Sequence, residues 1–151
     1  MVKTNLYPTM EVPEMLLADR HSTYGLRTYI SLFSSAGVGC YGFKEEGFYC
    51  VATVELLERR LKIQRFNQKC VYNSGYICGD MTTQETKNKV FAELEMWKKG
   101  FNLTDLDVLI ATPPCQGMSV ANHKKKDELK RNSLVVESIK TVSYTHLTLP
   151  T

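Results

Sequence analysis

The stretch Ala111–Ser119 constrains this chain more than any other part of it. It follows Asp107–Ile110, a short apolar and β-branched run that predicts a buried strand. Pro113 and Pro114 then stop the strand, because proline continues neither a helix nor a sheet ladder. Cys115 is therefore expected to lie just after the end of a strand, where open α/β sheets bind their ligands. Polar and small residues follow it, which favours an accessible thiol over a buried structural cysteine, the common alternative.

A glycine-rich stretch near the other end of the chain also favours an α/β fold. The run Thr28–Phe33 predicts a first strand, and Gly37, Gly39 and Gly42 follow it in close succession. These glycines allow a tight turn and a close approach to a ligand, and a helix can begin before Gly47. The Gly-x-Gly-x-x-Gly spacing is a weak signal by itself, since turns without a ligand also contain it.

The second predicted strand ends at an acidic residue. Cys50–Val54 predicts this strand, and Glu55 follows it. A carboxylate at that place is suited to accept hydrogen bonds from both hydroxyls of a ribose. Glu55 also suits the start of a helix over residues 56–66, and the two roles are compatible. The expected buried stripe of that helix consists of Leu57, Leu61 and Phe66.

The third predicted strand, Gly75–Cys78, leads to Asp80. The Asp80 carboxylate could accept a hydrogen bond from the exocyclic amine of an adenine. Alternatively, Asp80 is a turn residue, with Thr82 as the cap of the next helix and Glu85 completing a capping box. The buried positions expected in that helix, which should end at Gly100, are Val90, Phe91, Leu94 and Trp97.

Length and cysteine content exclude several classes of protein. A chain of 151 residues has room for one core and no second domain. Its cysteines are odd in number and contain no Cys-x-x-Cys pair, which disfavours a disulfide framework and a zinc site. We therefore expect no metal, and we expect small core or turn residues at Cys40, Cys50, Cys70 and Cys78.

The positive charge of the chain is concentrated in one segment. Residues 122–131 contain five basic residues against Asp127 and Glu128, so this segment carries the chain's whole net charge of +3. It lies just after Cys115, where a phosphate backbone would approach, although a solvated charged loop is an equally common interpretation. The sequence shows no signal peptide and no long apolar run, so we expect a cytoplasmic protein with no membrane partner.

Several segments together resemble the cytosine-C5 DNA methyltransferase family. Pro113–Gly117 is similar to the family's Pro-Cys motif. Leu32–Gly37 is similar to its first motif, in which a phenylalanine and small residues line the pocket for S-adenosylmethionine. Asp80 stands where the third motif places an aspartate, and Arg131–Ile139 is similar to the fifth motif, with one apolar helix face formed by Leu134, Val135 and Ile139. The resemblance runs from Thr28 to about Val142 and covers the family's motifs I to V in the expected order.

The resemblance implies an incomplete α/β fold of the Rossmann-like, S-adenosylmethionine-dependent methyltransferase type, with about four to five parallel strands and flanking helices. It implies Cys115 as the catalytic nucleophile. The residues expected to bind the cofactor are Phe33, Ser35, Ala36, Gly37, Gly39, Glu55, Asp80, Pro113 and Leu134. The family more often has glycine at the positions of Ser35 and Val38. The residues expected to bind DNA are Gln116, Ser119, Lys124, Lys125, Lys126 and Arg131.

The implied reaction is methyl transfer from S-adenosylmethionine to carbon 5 of cytosine in double-stranded DNA, as in a restriction-modification system. Carbon 5 is too weak a nucleophile by itself, and addition of a thiolate to carbon 6 converts it into part of an enamine. The target base must also leave the duplex to reach the thiol. We expect a monomer.

The resemblance also divides the chain. We expect a leader over residues 1–27, a partial catalytic domain over residues 28–142 and a tail over residues 143–151, which looks like translated adapter sequence. The family's Glu-Asn-Val and arginine-rich motifs, its target recognition region and its final helix are missing from the sequence. This chain alone is therefore expected to be inactive.

Other functions remain as alternatives. An RNA cytosine-5 methyltransferase of the same family and a non-catalytic nucleotide-binding module share most of these features. A nicotinamide-dependent dehydrogenase has no use for the Pro-Pro-Cys-Gln sequence. A cysteine hydrolase needs a partner base, and His21, His123 and His146 lie in the leader, the basic segment and the tail.

Overall fold

A computed structural model of the chain describes residues 25–114 and 128–144, with side chains described as far as residue 114 and over residues 133–141. The four strands described form one parallel sheet in the order β3-β2-β1-β4. They are β1 (Thr28–Leu32), β2 (Tyr49–Glu55), β3 (Tyr76–Cys78) and β4 (Val108–Ala111). The predicted incomplete α/β fold with parallel strands is thereby confirmed.

Strand register aligns the carboxyl ends of the strands. Leu32 pairs with Val54 on one side and with Ala111 on the other. Val54 in turn pairs with Ile77. Because the strands are parallel, the residues that follow them all leave the sheet at the same edge.

Four helices flank the sheet in the described ranges. A 3₁₀ turn at Val38–Cys40 leads into the short α1 (Tyr41–Glu45). The others are α2 (Glu58–Phe66), α3 (Gln84–Phe101) and α4 (Glu128–Tyr144).

The predicted ends of α3 are wrong by one or two residues. Thr83, and not Thr82, is the amino-terminal cap, and its side chain accepts a hydrogen bond from the Thr86 amide. Gly100 lies inside the helix, and Asn102 ends it in the left-handed conformation with φ 53°. Asparagine is among the few residues that adopt this conformation readily, so the chain has no need of glycine here.

The expected apolar stripe of α2 is also wrong. Leu61 is buried as expected, but Leu57 and Phe66 are exposed, and Phe66 keeps 88% of its surface accessible. The second buried residue of α2 is Gln64. Its side-chain amide makes hydrogen bonds inside the protein, which offset the cost of burying a polar group.

The inward face of α4 differs from the predicted one. Ser138 and Thr141 are buried, Leu134 and Val135 are half-buried, and Ile139 is exposed. The two buried hydroxyls donate to helix carbonyls four residues earlier, which satisfies them without a partner from outside the helix.

Two groups of buried side chains stabilise the sheet. The larger group packs α3 against the strands through Val90, Leu94 and Trp97, as predicted, with Phe91 half-buried. The smaller group surrounds Tyr29 and includes three cysteines, Cys40, Cys50 and Cys70. All three are free thiols, as expected of core residues, whereas Cys78 is exposed at the end of β3.

Glu93 on α3 is a carboxylate buried in the protein, and its effect on stability can be tested. It is buried, burial raises the pKa of its carboxyl, and its Oε2 has no hydrogen-bond partner among the described residues. Because the pKa is raised on folding, the ionised carboxyl destabilises the protein above that pKa, and the cost disappears as the pH falls below it. Glu93→Gln should therefore raise the free energy of unfolding by about 1 kcal/mol at neutral pH.

This effect can be measured by urea denaturation of both proteins between about pH 5 and pH 8. The difference in free energy of unfolding between Glu93→Gln and the wild type should become smaller as the pH is lowered towards about 5. A variant less stable than the wild type at neutral pH would contradict the assignment of an unfavourable buried charge.

Candidate active site

A cavity of about 610 Å³ opens at the carboxyl ends of the strands. Each strand contributes to its wall through the residues at or after its end. The predicted site residues that line it are Phe33, Ser35, Glu55, Asp80 and Leu134. Pro114 lines it in place of Pro113, which is half-buried beside it.

Other predicted residues lie elsewhere. Ala36 and Gly37 line a separate cavity of about 160 Å³ together with Tyr29 and Tyr41. Gly39 is exposed in the 3₁₀ turn. The side chains of Cys115, Gln116, Ser119, Lys124, Lys125, Lys126 and Arg131 lie outside the described residues.

The loop after β1, residues 33–37, is anchored to the end of β2. The amide and the hydroxyl of Ser34 both donate to the Val54 carbonyl, at 3.0 and 3.1 Å. The Gly37 amide closes the turn by donating to the Ser34 carbonyl at 2.9 Å. The loop therefore has one fixed backbone path beside the cavity.

This path requires left-handed backbone at three positions. The φ angles are 55° at Phe33, 51° at Ser35 and 87° at Gly37. Only glycine adopts such angles without steric cost, so Phe33 and Ser35 are strained. This geometry explains why a family with this loop would favour glycine at the position of Ser35.

The Glu55 carboxylate is almost fully buried and is held on both sides. Its Oε2 accepts a hydrogen bond from the Ser35 amide at 2.8 Å. Its Oε1 accepts from the Leu57 amide at 3.1 Å and from Arg60 Nη1 at 3.2 Å. A carboxylate offers about four lone-pair sites, so these three bonds leave about one for a ligand, and release of Arg60 would free another.

Arg60 is a site residue that sequence reasoning missed. Its guanidinium is 43% exposed, lines the cavity and pairs with Glu55. Glu55 lies in the strand and Arg60 in the helix, so no helical spacing links the two residues. Only the turn between β2 and α2 brings them together.

Asp80 takes the turn role that the sequence allowed, and its carboxylate lies at the cavity. Its Oδ1 accepts from the amide and the hydroxyl of Thr82, at 2.9 and 2.8 Å, and its carbonyl accepts from Thr83 Oγ1 at 2.8 Å. It is therefore a turn residue. It is also exposed and lines the cavity.

The segment after β4 is joined to the end of β1. The Thr112 amide donates to the Leu32 carbonyl at 3.2 Å, and the Thr112 hydroxyl donates to the Phe33 carbonyl at 3.0 Å. These bonds extend the β1–β4 pairing by one step and direct Pro114 to the cavity. Sequence reasoning missed Thr112, whose hydroxyl bonds to Phe33, 79 residues away.

Helix α4 covers another side of the cavity through Leu134. Glu137 of this helix forms an ion pair with Lys87 of α3 and another with Lys140. These two ammonium groups lower the pKa of the Glu137 carboxyl. The pair with Lys87 joins α4 to α3.

Comparison with known proteins decides the family. Residues 27–146 match the family described as C-5 cytosine-specific DNA methylase. The chain belongs to this family. It is 38% identical over 97 residues to the Type II methyltransferase M1.HgaI of Avibacterium volantium, a match that covers 64% of the chain and 24% of that protein. The resemblance found in the sequence is thereby confirmed.

Two further relatives support the same assignment. M1.HphI of Haemophilus parahaemolyticus is 31% identical over 120 residues, which is 78% of the chain and 29% of that protein. M.DdeI of Desulfomicrobium norvegicum is 30% identical over 116 residues, which is 76% of the chain and 24% of that protein. The chain spans about a quarter of the length of each of these three relatives.

Two features are absent from the part of the chain that the structure describes. None of its helices has the length and apolar character needed to cross a membrane. No group of three His, Cys, Asp or Glu side chains there is placed to hold a metal ion.

The strained loop gives a prediction about stability. Ser35→Gly keeps the backbone bonds of residue 35 and removes the Cβ that opposes its φ of 51°. We expect it to be about 1 kcal/mol more stable than the control Ser35→Ala, which keeps the Cβ. Gly37→Ala should be destabilising, because its Cβ would lie 3.1 Å from Gln64 Cγ at a φ of 87°.

Urea denaturation of the three variants and the wild type measures these differences. Equal stability of Ser35→Gly and Ser35→Ala would show that the loop carries no strain at this residue.

Proposed function

We propose that this chain supplies the S-adenosylmethionine site and the catalytic cysteine of a DNA (cytosine-5-)-methyltransferase of a restriction-modification system. One observation carries the proposal. Phe33, Glu55, Asp80 and Pro114, which follow or end four different strands, line a single cavity in a member of this family. Pro114 immediately precedes Cys115.

The residues of the cavity fit the cofactor. Apolar side chains, including Val54, Met81 and Leu134, offer a surface for an adenine ring, and two carboxylates offer hydrogen-bond acceptors. In this proposal Glu55 accepts from the ribose hydroxyls and Asp80 from the adenine amine. S-adenosylmethionine supplies an electrophilic methyl group when bound.

The other proposed cofactor contacts come from the loop after β1 and from the walls of the cavity. Phe33, Ser35 and Leu134 line the cavity directly. The remaining proposed residues, which would act through the backbone path of their segments, are Ala36, Gly37, Gly39 and Pro113.

The proposed nucleophile is the thiolate of Cys115. Its sulfur forms a bond to carbon 6 of cytosine, which moves electron density to carbon 5 and makes that carbon nucleophilic. After carbon 5 is methylated, loss of its proton and cleavage of the sulfur–carbon bond restore the free cysteine. The base reaches the thiol only after it leaves the duplex.

Double-stranded DNA is the proposed partner. Phosphate groups attract lysine and arginine side chains, and base contacts come from polar side chains. The residues proposed for these contacts are Gln116, Ser119, Lys124, Lys125, Lys126 and Arg131. Cytoplasmic location and a monomeric state belong to the same proposal, as does the division into residues 1–27, 28–142 and 143–151.

Binding of the cofactor is tested with S-adenosylhomocysteine, the product form, by isothermal titration calorimetry. Glu55→Gln keeps the shape of the side chain and removes one of the two acceptor oxygens. We expect affinity to fall about tenfold, which is the usual effect of losing a charge-assisted hydrogen bond. Glu58→Gln is the matched control, because Glu58 is 47% exposed and pairs with Arg65 away from the cavity.

Two results would contradict the cofactor assignment. One is equal affinity of the wild type, Glu55→Gln and Glu58→Gln. The other is no binding of S-adenosylhomocysteine by the wild type.

The covalent step is tested by trapping. Duplex DNA containing 5-fluorocytosine at the target site blocks release of the base, because carbon 5 then has no proton to lose. The full-length protein that contains this chain should form a stable adduct with it, and Cys115→Ser should form none. Cys78→Ser is the matched control, since Cys78 is an exposed thiol outside the cavity.

An adduct with transfer RNA and not with duplex DNA would favour the RNA methyltransferase instead. An adduct that survives Cys115→Ser would exclude Cys115 as the nucleophile.

A further inference from the structure

The buried amide of Gln64 joins α2 to the loop that carries Ser35. Gln64 is 1% exposed, which is rare for glutamine. Its Nε2 donates to Ser34 Oγ at 2.8 Å and to the Ser35 carbonyl at 2.6 Å. Its Oε1 accepts from Thr53 Oγ1 at 2.7 Å. One side chain therefore contacts both β2 and the loop after β1.

A lysine fixes the direction of these bonds. Lys69 Nζ donates to Thr53 Oγ1 at 3.0 Å, and an ammonium group can only donate. The Thr53 hydroxyl therefore gives its own proton to Gln64 Oε1, which leaves the amide nitrogen to face the loop. Ser34 accepts from that nitrogen and donates to the Val54 carbonyl at 3.1 Å. The chain of donors runs in one direction from Lys69 to β2.

The loop also packs on the same two side chains. A Cβ at Gly37 would lie 3.1 Å from Gln64 Cγ and 3.4 Å from Lys69 Cδ. Strained backbone such as that of Ser35 persists only where its surroundings hold it in several ways. Here Gln64 holds the Ser35 carbonyl while Glu55 holds the Ser35 amide.

We propose that Gln64 is a positioning residue for the cofactor, oriented by Thr53 and Lys69. It does not line the 610 Å³ cavity, and it acts through Ser35, whose amide bonds to the Glu55 carboxylate. Loss of the Gln64 amide frees the Ser35 carbonyl and thereby loosens the donor that holds Glu55. This inference rests on the proposed cofactor site.

The experiment compares variants by two measurements. Gln64→Met removes the amide and nearly keeps the volume, and Thr53→Val removes only the hydroxyl that orients it. Gln84→Met is the matched control, because Gln84 is exposed on α3 and bonds only to Asn88 among the hydrogen bonds described for its side chain. Hydrogen exchange of the Ser35 and Gly37 amides reports on the loop, and titration with S-adenosylhomocysteine reports on the site.

We expect Gln64→Met to increase the hydrogen-exchange rate of the two loop amides about tenfold more than that of the β1 amides. We expect its affinity for S-adenosylhomocysteine to fall about tenfold. Thr53→Val should show a smaller change in the same direction, and Thr53→Ser, which keeps the hydroxyl, should restore wild-type values. Gln84→Met should match the wild type in both measurements.

Several outcomes overturn the inference. One is a Gln64→Met protein that is less stable than the wild type but binds S-adenosylhomocysteine as tightly as Gln84→Met does. That result is expected of a residue that only stabilises the fold. If Gln64→Met fails to fold, Thr53→Val is the deciding variant. Thr53→Val with the loop exchange rates and the affinity of the wild type would contradict the proposal. A wild type that does not bind S-adenosylhomocysteine would overturn the cofactor site and with it the role of Gln64, whatever the exchange rates.

Discussion

The hydrogen bond from the Ser35 amide to the Glu55 carboxylate is the contact on which the site depends. It joins the loop after β1 to the end of β2, 20 residues away, in a place where Glu55 is almost fully buried. A buried carboxylate is costly unless it is well paired. Two backbone amides and Arg60 meet that requirement here, and the same bonds fix the direction in which Glu55 faces the cavity.

Parallel pairing then brings the other strand ends to the same place. Leu32 stands between Val54 and Ala111, so the residues after β1, β2 and β4 leave the sheet side by side. Thr112 adds two hydrogen bonds to the end of β1 and directs the Pro-Pro turn to the cavity. The chemistry proposed for the next residue, Cys115, depends on this alignment.

The sequence predicted the strands better than the helix faces, for a physical reason. The strands are short and rich in apolar and β-branched residues, a local pattern that predicts them, although β4 is half-buried where the sequence predicted a buried strand. Helix faces depend on which partner each side chain meets. Gln64 is buried because Ser34, Ser35 and Thr53 supply its hydrogen bonds, while Phe66 finds no such place and stays exposed.

The sequence by itself determined the parallel α/β fold, the family and the acidic and proline residues that end the strands, since these follow from local pattern and from motif. Tertiary structure alone placed Arg60 and Thr112 at the cavity and buried Gln64 against the loop after β1. The partners of their side-chain hydrogen bonds lie 5 to 79 residues away, at spacings that no helix or strand period links. The left-handed backbone of Ser35 is likewise visible only in the tertiary structure, where Glu55 bonds to its amide and Gln64 to its carbonyl.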